Sequence, residues 1–401
     1  MKFFQIALFY DKYLQDFDRR HPGRGQRSFE HQQKLLFSDG FSACHYFAEG
    51  MAGLGHETMM VVANDRSSQE AWQRENRVEV APPVISEPTG AWGQALPPNL
   101  LAILLAQTRQ FEPDVLYLQD PISLDSRFLS LLQKKPRLVV AWRASEIPRK
   151  TDWTEIDLLV SNHEPSLRAG KARGARWQEL LHPGFPQRLA RAVEHVPESR
   201  DVVFSGQLSP LHRRRTELLT GLAMDQLRPG GKFELHYAVN TEGKTPAGVA
   251  MHAKEPVYGM EMYELLRSAK ICLNIHAELA EKTGGNMRVF EATGIGSFLL
   301  TDLGRQDHGL FQSGREIETF RNQGELREKV LHYLQNPEER NRIAKAGQQK
   351  CLREFSLIQT AEKFEELIFR CLEEKGKNQS FRRWARFWPG LSSVPGQRPR
   401  P

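Results

Sequence analysis

The chain has 401 residues, too many for one hydrophobic core, and predicts two or three domains. Its apolar content of 40% and charged content of 26% exclude disordered and fibrous classes, and no apolar run approaches the roughly 18 residues of a membrane span. The formal charge of +6 is carried by the tail: Lys375 to Pro401 holds seven Lys or Arg and no Asp or Glu, which leaves −1 for the rest and argues against nucleic acid as a partner.

The opening MKFFQIALFYDKY has one Lys ahead of a short apolar stretch and no small-residue cleavage site behind it. It predicts a first strand, not a signal peptide, and a cytoplasmic protein. The four cysteines, Cys44, Cys272, Cys351 and Cys371, lack the paired spacing of a zinc site or disulfide framework and are expected as buried thiols.

Alternating β-rich and helical patterns predict parallel sheets covered by helices in both halves. Strands are expected at Phe3–Phe9, Thr58–Ala63, Val115–Gln119, Leu138–Trp142 and Leu158–Ser161, with helices such as Ser42–Leu54 and Asn99–Gln110 between them. A second series has strands at Val202–Ser205, Lys232–Tyr237, Ile271–Ile275 and Ser297–Thr301, and helices at Arg213–Ala223, Met260–Ser268, Met287–Thr293 and Gly324–Gln335.

Between the two series, LHPGFPQRLARAVEHVPESRD replaces periodic apolar residues with proline and charge. The expected organisation is therefore an amino-terminal domain over 1–186, a linker over 187–200, a carboxy-terminal domain over 201–370 and a basic aromatic tail over 371–401. The fold class is α/β, two Rossmann-like domains facing across a cleft, with ligands outside the carboxyl ends of the strands.

The stretch GGNMRVFEATGIGSFLLTD, Gly284 to Asp302, holds the densest chemistry. Glycines at a helix start let a phosphate approach free backbone N–H groups, here at Gly285 and Asn286. Arg288 can add a bidentate contact to a diphosphate. Glu291, one turn on, shares its face and can meet a ribose; the plainer reading is a surface ion pair between the two. His276, at the exit of the strand Ile271–Ile275, is either a ligand contact or a polar cap, and Lys282 in the following loop is a further phosphate candidate.

Five runs resemble a known family. NMRVFEATGIGSFLLTD, preceded by YELLRSAKICLNIH, resembles the donor-binding half of group 1 glycosyltransferases of the GT-B fold. It is most similar to the subset related to spore-maturation proteins, in which a strand ending Asn-x-His precedes an Arg-x-Phe-Glu-Ala helix. YDKYLQDFDRRHPG, FSDGFSACHYFAEGMAGLGHE and VVANDRSSQEAW resemble the amino-terminal domain of the same proteins. The likeness spans most of 1–370 and is strongest over 258–302.

The resemblance implies a nucleotide-diphosphate sugar as donor, bound by the carboxy-terminal domain, an acceptor bound by the amino-terminal domain, and no metal or other cofactor. The position eight residues before Glu291, acidic in better-characterised retaining relatives, is Thr283 here. Glu281 or Glu278 in the loop is the candidate substitute, and the stereochemistry stays open. The turn FSGQLSPLHRRR resembles the family's glycine turn, with Gly206 near the donor phosphates and Arg213 or Arg214 reaching the same charge; an ordinary turn opening a solvated basic helix is the alternative.

In the first half, Asp120, Arg143 and Glu146 follow strand ends. Asp120 and His45 are the candidates for a general base on the acceptor hydroxyl, against a helix cap for Asp120 and a partly buried helix position for His45. The pair Asp16 and Asp18 imitates a metal-binding DFD but reads better as a solvated helix face. In the tail, Phe381, Trp384, Phe387 and Trp388 gather on one side of a short helix opposite Arg382, Arg383 and Arg386. That face suits either peripheral contact with an anionic membrane surface or docking on the amino-terminal domain.

The expected function is transfer of a sugar to a saccharide, lipid or protein acceptor, in surface polysaccharide or glycoconjugate synthesis. A nucleotide-sugar epimerase and a non-catalytic nucleotide-sugar-binding scaffold are the alternatives.

Overall fold

In a computed structural model, residues 1–81, 83, 96–209, 212–227, 233–241, 245–276, 286–302 and 310–387 are described, with side chains up to 377. The uninterrupted apolar runs VLYL, LVVAW and LLVS form strands buried at every position, as strands covered on both faces must be. They belong to a six-stranded parallel sheet of β1 (Lys2–Ala7), β2 (Glu57–Val62), β3 (Val115–Leu118), β4 (Leu138–Trp142), β5 (Leu158–Ser161) and β6 (Trp177–Leu180), in the order β2-β1-β3-β4-β5-β6.

A second six-stranded parallel sheet contains β7 (Arg200–Leu208), β8 (Leu235–Thr241), β9 (Ala253–Lys254), β10 (Ala269–Asn274), β11 (Leu299–Asp302) and β12 (Glu318–Phe320), in the order β12-β11-β10-β7-β8-β9. Each sheet starts in its interior, grows to one side and then returns to grow on the other. This leaves a topological switch point between β1 and β3 and another between β7 and β10, where such sheets open a crevice for ligands.

The chain leaves the first sheet after β6, and within the linker expected over 187–200 the helix Gln187–Val193 packs its buried Leu189 and Val193 into the apolar seam between domains. Their spacing of four places both on one helix face, a pattern masked in the sequence by the surrounding Arg and Glu. The chain crosses back beside Phe185: its N–H donates to Phe355 O at 2.7 Å, and Leu357 N–H to Phe185 O at 2.9 Å. A Cβ on Gly184 would lie 2.8 Å from Leu357 Cα, so only glycine permits the two crossings to run this close.

After the return, the helix Leu357–Phe387 lays Ala361, Phe364, Ile368 and Cys371 on the first sheet. The segment after Ser356 thus packs with the amino-terminal domain, although the sequence pattern groups it with the second. Phe387 ends the described chain, so Trp388 lies outside it, and the aromatic face of the tail belongs to residues whose side chains are not described.

The seam itself joins Tyr13, Leu36 and Tyr46 of the first domain to Phe185, Leu189, Tyr263 and Phe290 of the second. Polar contacts reinforce it: Arg188 donates to both carboxylate oxygens of Glu49 at 3.0 and 3.1 Å, and Lys12 Nζ to Asn240 Oδ1 at 2.9 Å. Among the described residues no helix is long and apolar enough to cross a membrane, and all four cysteines are free and buried.

Candidate active site at the interdomain cleft

The carboxyl ends of both sheets open onto one cavity of about 460 Å³, within the usual range of small-molecule sites (roughly 300–1,000 Å³). Tyr10 beyond β1, Gln119 beyond β3, Trp142 and Arg143 at β4 and Asn162 and His163 beyond β5 line one wall. Ser205, Gly206 and Gln207 of β7, Arg215, Asn274 of β10, and Asn286, Arg288 and Glu291 line the other.

The helix Met287–Gly294 carries the central carboxylate. Glu291 is 3% exposed and accepts from Arg288 Nη1 at 2.8 Å and Tyr263 Oη at 3.4 Å. The pair expected one turn apart therefore forms, but buried in the cleft wall. Arg288 Nη2 donates to Ser205 O at 3.3 Å, while its buried Nε has no partner among the described residues. Asn286 precedes the helix without capping it; its side chain donates instead to Asn274 Oδ1 at 3.0 Å, and Asn274 donates to Thr301 Oγ1 at 2.9 Å. Thr301 belongs to β11, so the lip above Arg288 is tied across neighbouring strands.

On the helix Arg213–Gln226 the cation in the cleft is Arg215, which the sequence reading did not single out. Arg213 is exposed, and Arg214 turns to Asp302 Oδ2 at 3.5 Å and Arg321 O at 3.3 Å; neither lines the cavity. Arg215 is buried and donates to Ile275 O from Nε (3.0 Å) and Nη2 (2.7 Å) and to Gln207 O from Nη1 at 2.6 Å. Burial lowers its pKa to about 10, with Arg288 adding to the fall and Asp302 opposing it. The side chain stays cationic at neutral pH. A usable signal was present: Arg215 stands three, four and seven residues before Leu218, Leu219 and Leu222, on the helix's buried stripe.

His276 is buried and clamped by Asp302, whose Oδ1 takes its backbone N–H at 2.9 Å and lies 2.8 Å from its Nδ1. It stands at the end of β10 but does not line the cavity; the polar-cap reading fits it. Glu281, Lys282 and Gly285, with Glu278 and Thr283, lie outside the described residues.

Both base candidates on the first wall change meaning. Asp120 is a turn cap: its Oδ1 accepts from the backbone N–H of Ile122 at 3.0 Å and of Ser123 at 3.4 Å, and its Oδ2 from Ser123 Oγ at 2.7 Å. It does not line the cavity. His45 does, from a 3₁₀ turn at Ala43–His45 that replaces the start expected for the helix 42–54; Ser42 takes φ 61° and the helix begins at Phe47. Gln5, fully buried on β1, sets this turn by donating to His45 O at 2.7 Å and accepting Ala48 N–H at 2.8 Å. Desolvation lowers the His45 pKa from near 6.5 to about 3, so the imidazole is neutral and a weak base.

Asp16 and Asp18 meet arginines. Asp16 pairs with Arg19 and Arg20, and Asp18 with Arg24. Among the described residues no cluster of His, Cys, Asp and Glu is arranged to hold a metal ion.

Comparison with known proteins agrees with this architecture. HepE from Anabaena, in complex with UDP-glucose, superposes with a TM-score of 0.57 at 12% identity, covering 92% of this chain and all of that one. Sucrose-phosphate synthase from Thermosynechococcus elongatus gives 0.53 at 12% identity, covering 93% of this chain and 100% of its own. AviGT4, a glycosyltransferase involved in avilamycin A biosynthesis, gives 0.52 at 14%, covering 93% of this chain and 98% of its own. No curated protein matches the sequence. The paired sheets are the GT-B fold, and residues 213–366 match the family model described as glycosyl transferase-like.

Proposed function

We propose that the chain is a glycosyltransferase that moves a sugar from a nucleotide-diphosphate donor to an acceptor hydroxyl. The observation that carries the reading is the pair of guanidiniums, Arg215 and Arg288, fixed on either side of Gly206 at the β7/β10 switch point. Both are held by main-chain carbonyls, so their charge is in place before a ligand arrives. Such preorganised cations stabilise negative charge as it grows on a departing diphosphate. Gly206 lets the phosphates approach the strand; a Cβ there would already press on the Phe204 ring at 3.0 Å. Glu291 orients Arg288 and offers its carboxylate to a ribose hydroxyl.

On the facing wall a neutral His45 orients the acceptor hydroxyl without removing its proton beforehand. Charge neutralisation by two arginines supports a reaction in which no metal takes part. The Asn274-x-His276 and Arg288-x-Phe290-Glu291-Ala292 pattern supports placement in the spore-maturation-protein-like subset, and the seven Lys and Arg of 375–401 support contact of the tail with an anionic membrane surface; the reading places the reaction in the cytoplasm, in polysaccharide or glycoconjugate synthesis.

The test is nucleotide release from a panel of nucleotide sugars, with UDP-glucose as the first probe because HepE binds it, across an acceptor panel and with EDTA present. Acceptor-dependent release in EDTA is expected. Acceptor-independent conversion to an epimerised sugar would point to an epimerase, and tight donor binding without turnover to a scaffold.

A further inference from the structure

We propose that the amino-terminal wall of the cleft is an acceptor subsite for an acidic saccharide, one carrying a carboxylate or phosphate that Arg143 binds while Tyr10 flanks the ring. The inference rests on the glycosyltransferase reading and adds the chemical class of the acceptor.

Arg143 follows β4 directly and keeps its register, its backbone N–H meeting Val160 O at 3.4 Å. Its half-buried guanidinium lines the cavity, with Nε and Nη2 both donating to Glu146 O at 3.1 and 2.8 Å. That carbonyl fixes its direction without neutralising it. No carboxylate among the described residues forms an ion pair with Arg143, and the nearby Asp120 is held by its own turn. Arg20, Arg24 and Arg127 of this domain, by contrast, each hold an Asp. Asp120 and Glu146 act on Arg143 electrostatically without forming an ion pair, and a partly desolvated cation that lacks a contact partner is stabilised when an anion joins it.

The charges of the cleft point the same way. Three guanidiniums, Arg143, Arg215 and Arg288, line it with one carboxylate, Glu291. A donor diphosphate engages Arg215 and Arg288 on their own wall and leaves Arg143 facing the acceptor. Beside it, Tyr10 is 67% exposed, an unusual state for a tyrosine, with its ring steadied edge-on by Phe41 at 5.6 Å. Trp142 is buried behind this wall, tilted against His45 at 4.5 Å, and backs the site without offering a free face. A rigid aromatic face beside a polar group, as Tyr10 offers, grips a sugar ring at low entropic cost.

The experiment titrates UDP-saturated protein with methyl glucuronide, glucose 1-phosphate and methyl glucoside by calorimetry, in the wild type and in Arg143→Gln and Arg143→Lys. At least one charged probe should bind tenfold or more tighter than the neutral glycoside. Arg143→Gln should abolish that preference while UDP affinity is kept, and Arg143→Lys should retain part of it. Preference for the glucuronide identifies a uronic-acid acceptor, and preference for glucose 1-phosphate a phosphorylated one. Equal affinities, no binding of either charged probe, or a preference that survives Arg143→Gln would overturn the proposal. Failure of the wild type to bind UDP or any other nucleoside diphosphate would count against the donor-site reading instead, and the same titrations on nucleotide-free protein then decide the subsite alone.

Discussion

Arg288 and Arg215 bracket Gly206: the first donates to the carbonyl of Ser205 at 3.3 Å, the second to that of Gln207 at 2.6 Å. One strand segment thus holds two cations at the mouth of the donor-side crevice, and the glycine between them leaves room for phosphate. Arg213, two residues from Arg215, faces solvent.

The arrangement separates the three arginines experimentally. Arg215→Gln and Arg288→Ala should each weaken nucleoside diphosphate binding by about 1.5–3 kcal/mol, the scale of a hydrogen bond to a charged group. Arg213→Ala should change it less than twofold. Thermal melts of each variant separate loss of binding from loss of fold. Equal effects at Arg213 and Arg215 would contradict the site.

His45 links the acceptor wall to stability. Its folded pKa of about 3 lies below the ordinary value near 6.5, so between these limits the unfolded chain binds a proton that the folded chain does not. Its neutral burial therefore carries no protonation cost above pH 6.5, and stability falls as pH drops towards 3, by on the order of 5 kcal/mol over the whole window. Urea unfolding at stepped pH should show His45→Gln losing less stability than the wild type between pH 6.5 and 4. Parallel pH dependences would show that His45 titrates normally.

Gly259 marks where the second domain presses on the first. It takes φ +54°, and a Cβ there would fall 1.8 Å from Asp39 Oδ2. Asp39 is already engaged by Tyr13 Oη at 2.9 Å and Arg20 Nη1 at 2.9 Å. Gly259→Ala should therefore destabilise the protein by more than about 2 kcal/mol, through strain and the broken contact together. An unchanged unfolding midpoint would mean that the seam is looser than described.

Burial raises the thiol pKa of Cys44, Cys272, Cys351 and Cys371 alike. A colorimetric thiol reagent should find none of the four in the native protein and all of them in denaturant. Rapid labelling of any one in the native state would contradict the packing of the element that carries it.

The sheets were legible because β3, β4 and β5 are uninterrupted apolar runs, and Arg288 with Glu291 because glycines and a helix start surround them. Arg215 was missed within three consecutive arginines, where only the phase of the helix decides which side chain points inward. Asp120 misled because a carboxylate after a strand serves a turn as readily as a catalytic site, and only the positions of Ile122 and Ser123 settle which. The helix Gln187–Val193 was hidden because its apolar face is only two residues wide. Tyr10, Trp142, Asn162 and His163 carry no motif; the carboxyl ends of β1, β4 and β5 gather them.

Calorimetric titration of the 401-residue chain with UDP and the other nucleoside diphosphates in EDTA, beside the matching nucleoside monophosphates, tests the donor site most directly. Saturable, metal-independent binding of one diphosphate is expected, at least tenfold tighter than its monophosphate because two arginines await the second phosphate. Failure of every diphosphate to bind, or equal affinity for monophosphate and diphosphate, would contradict it.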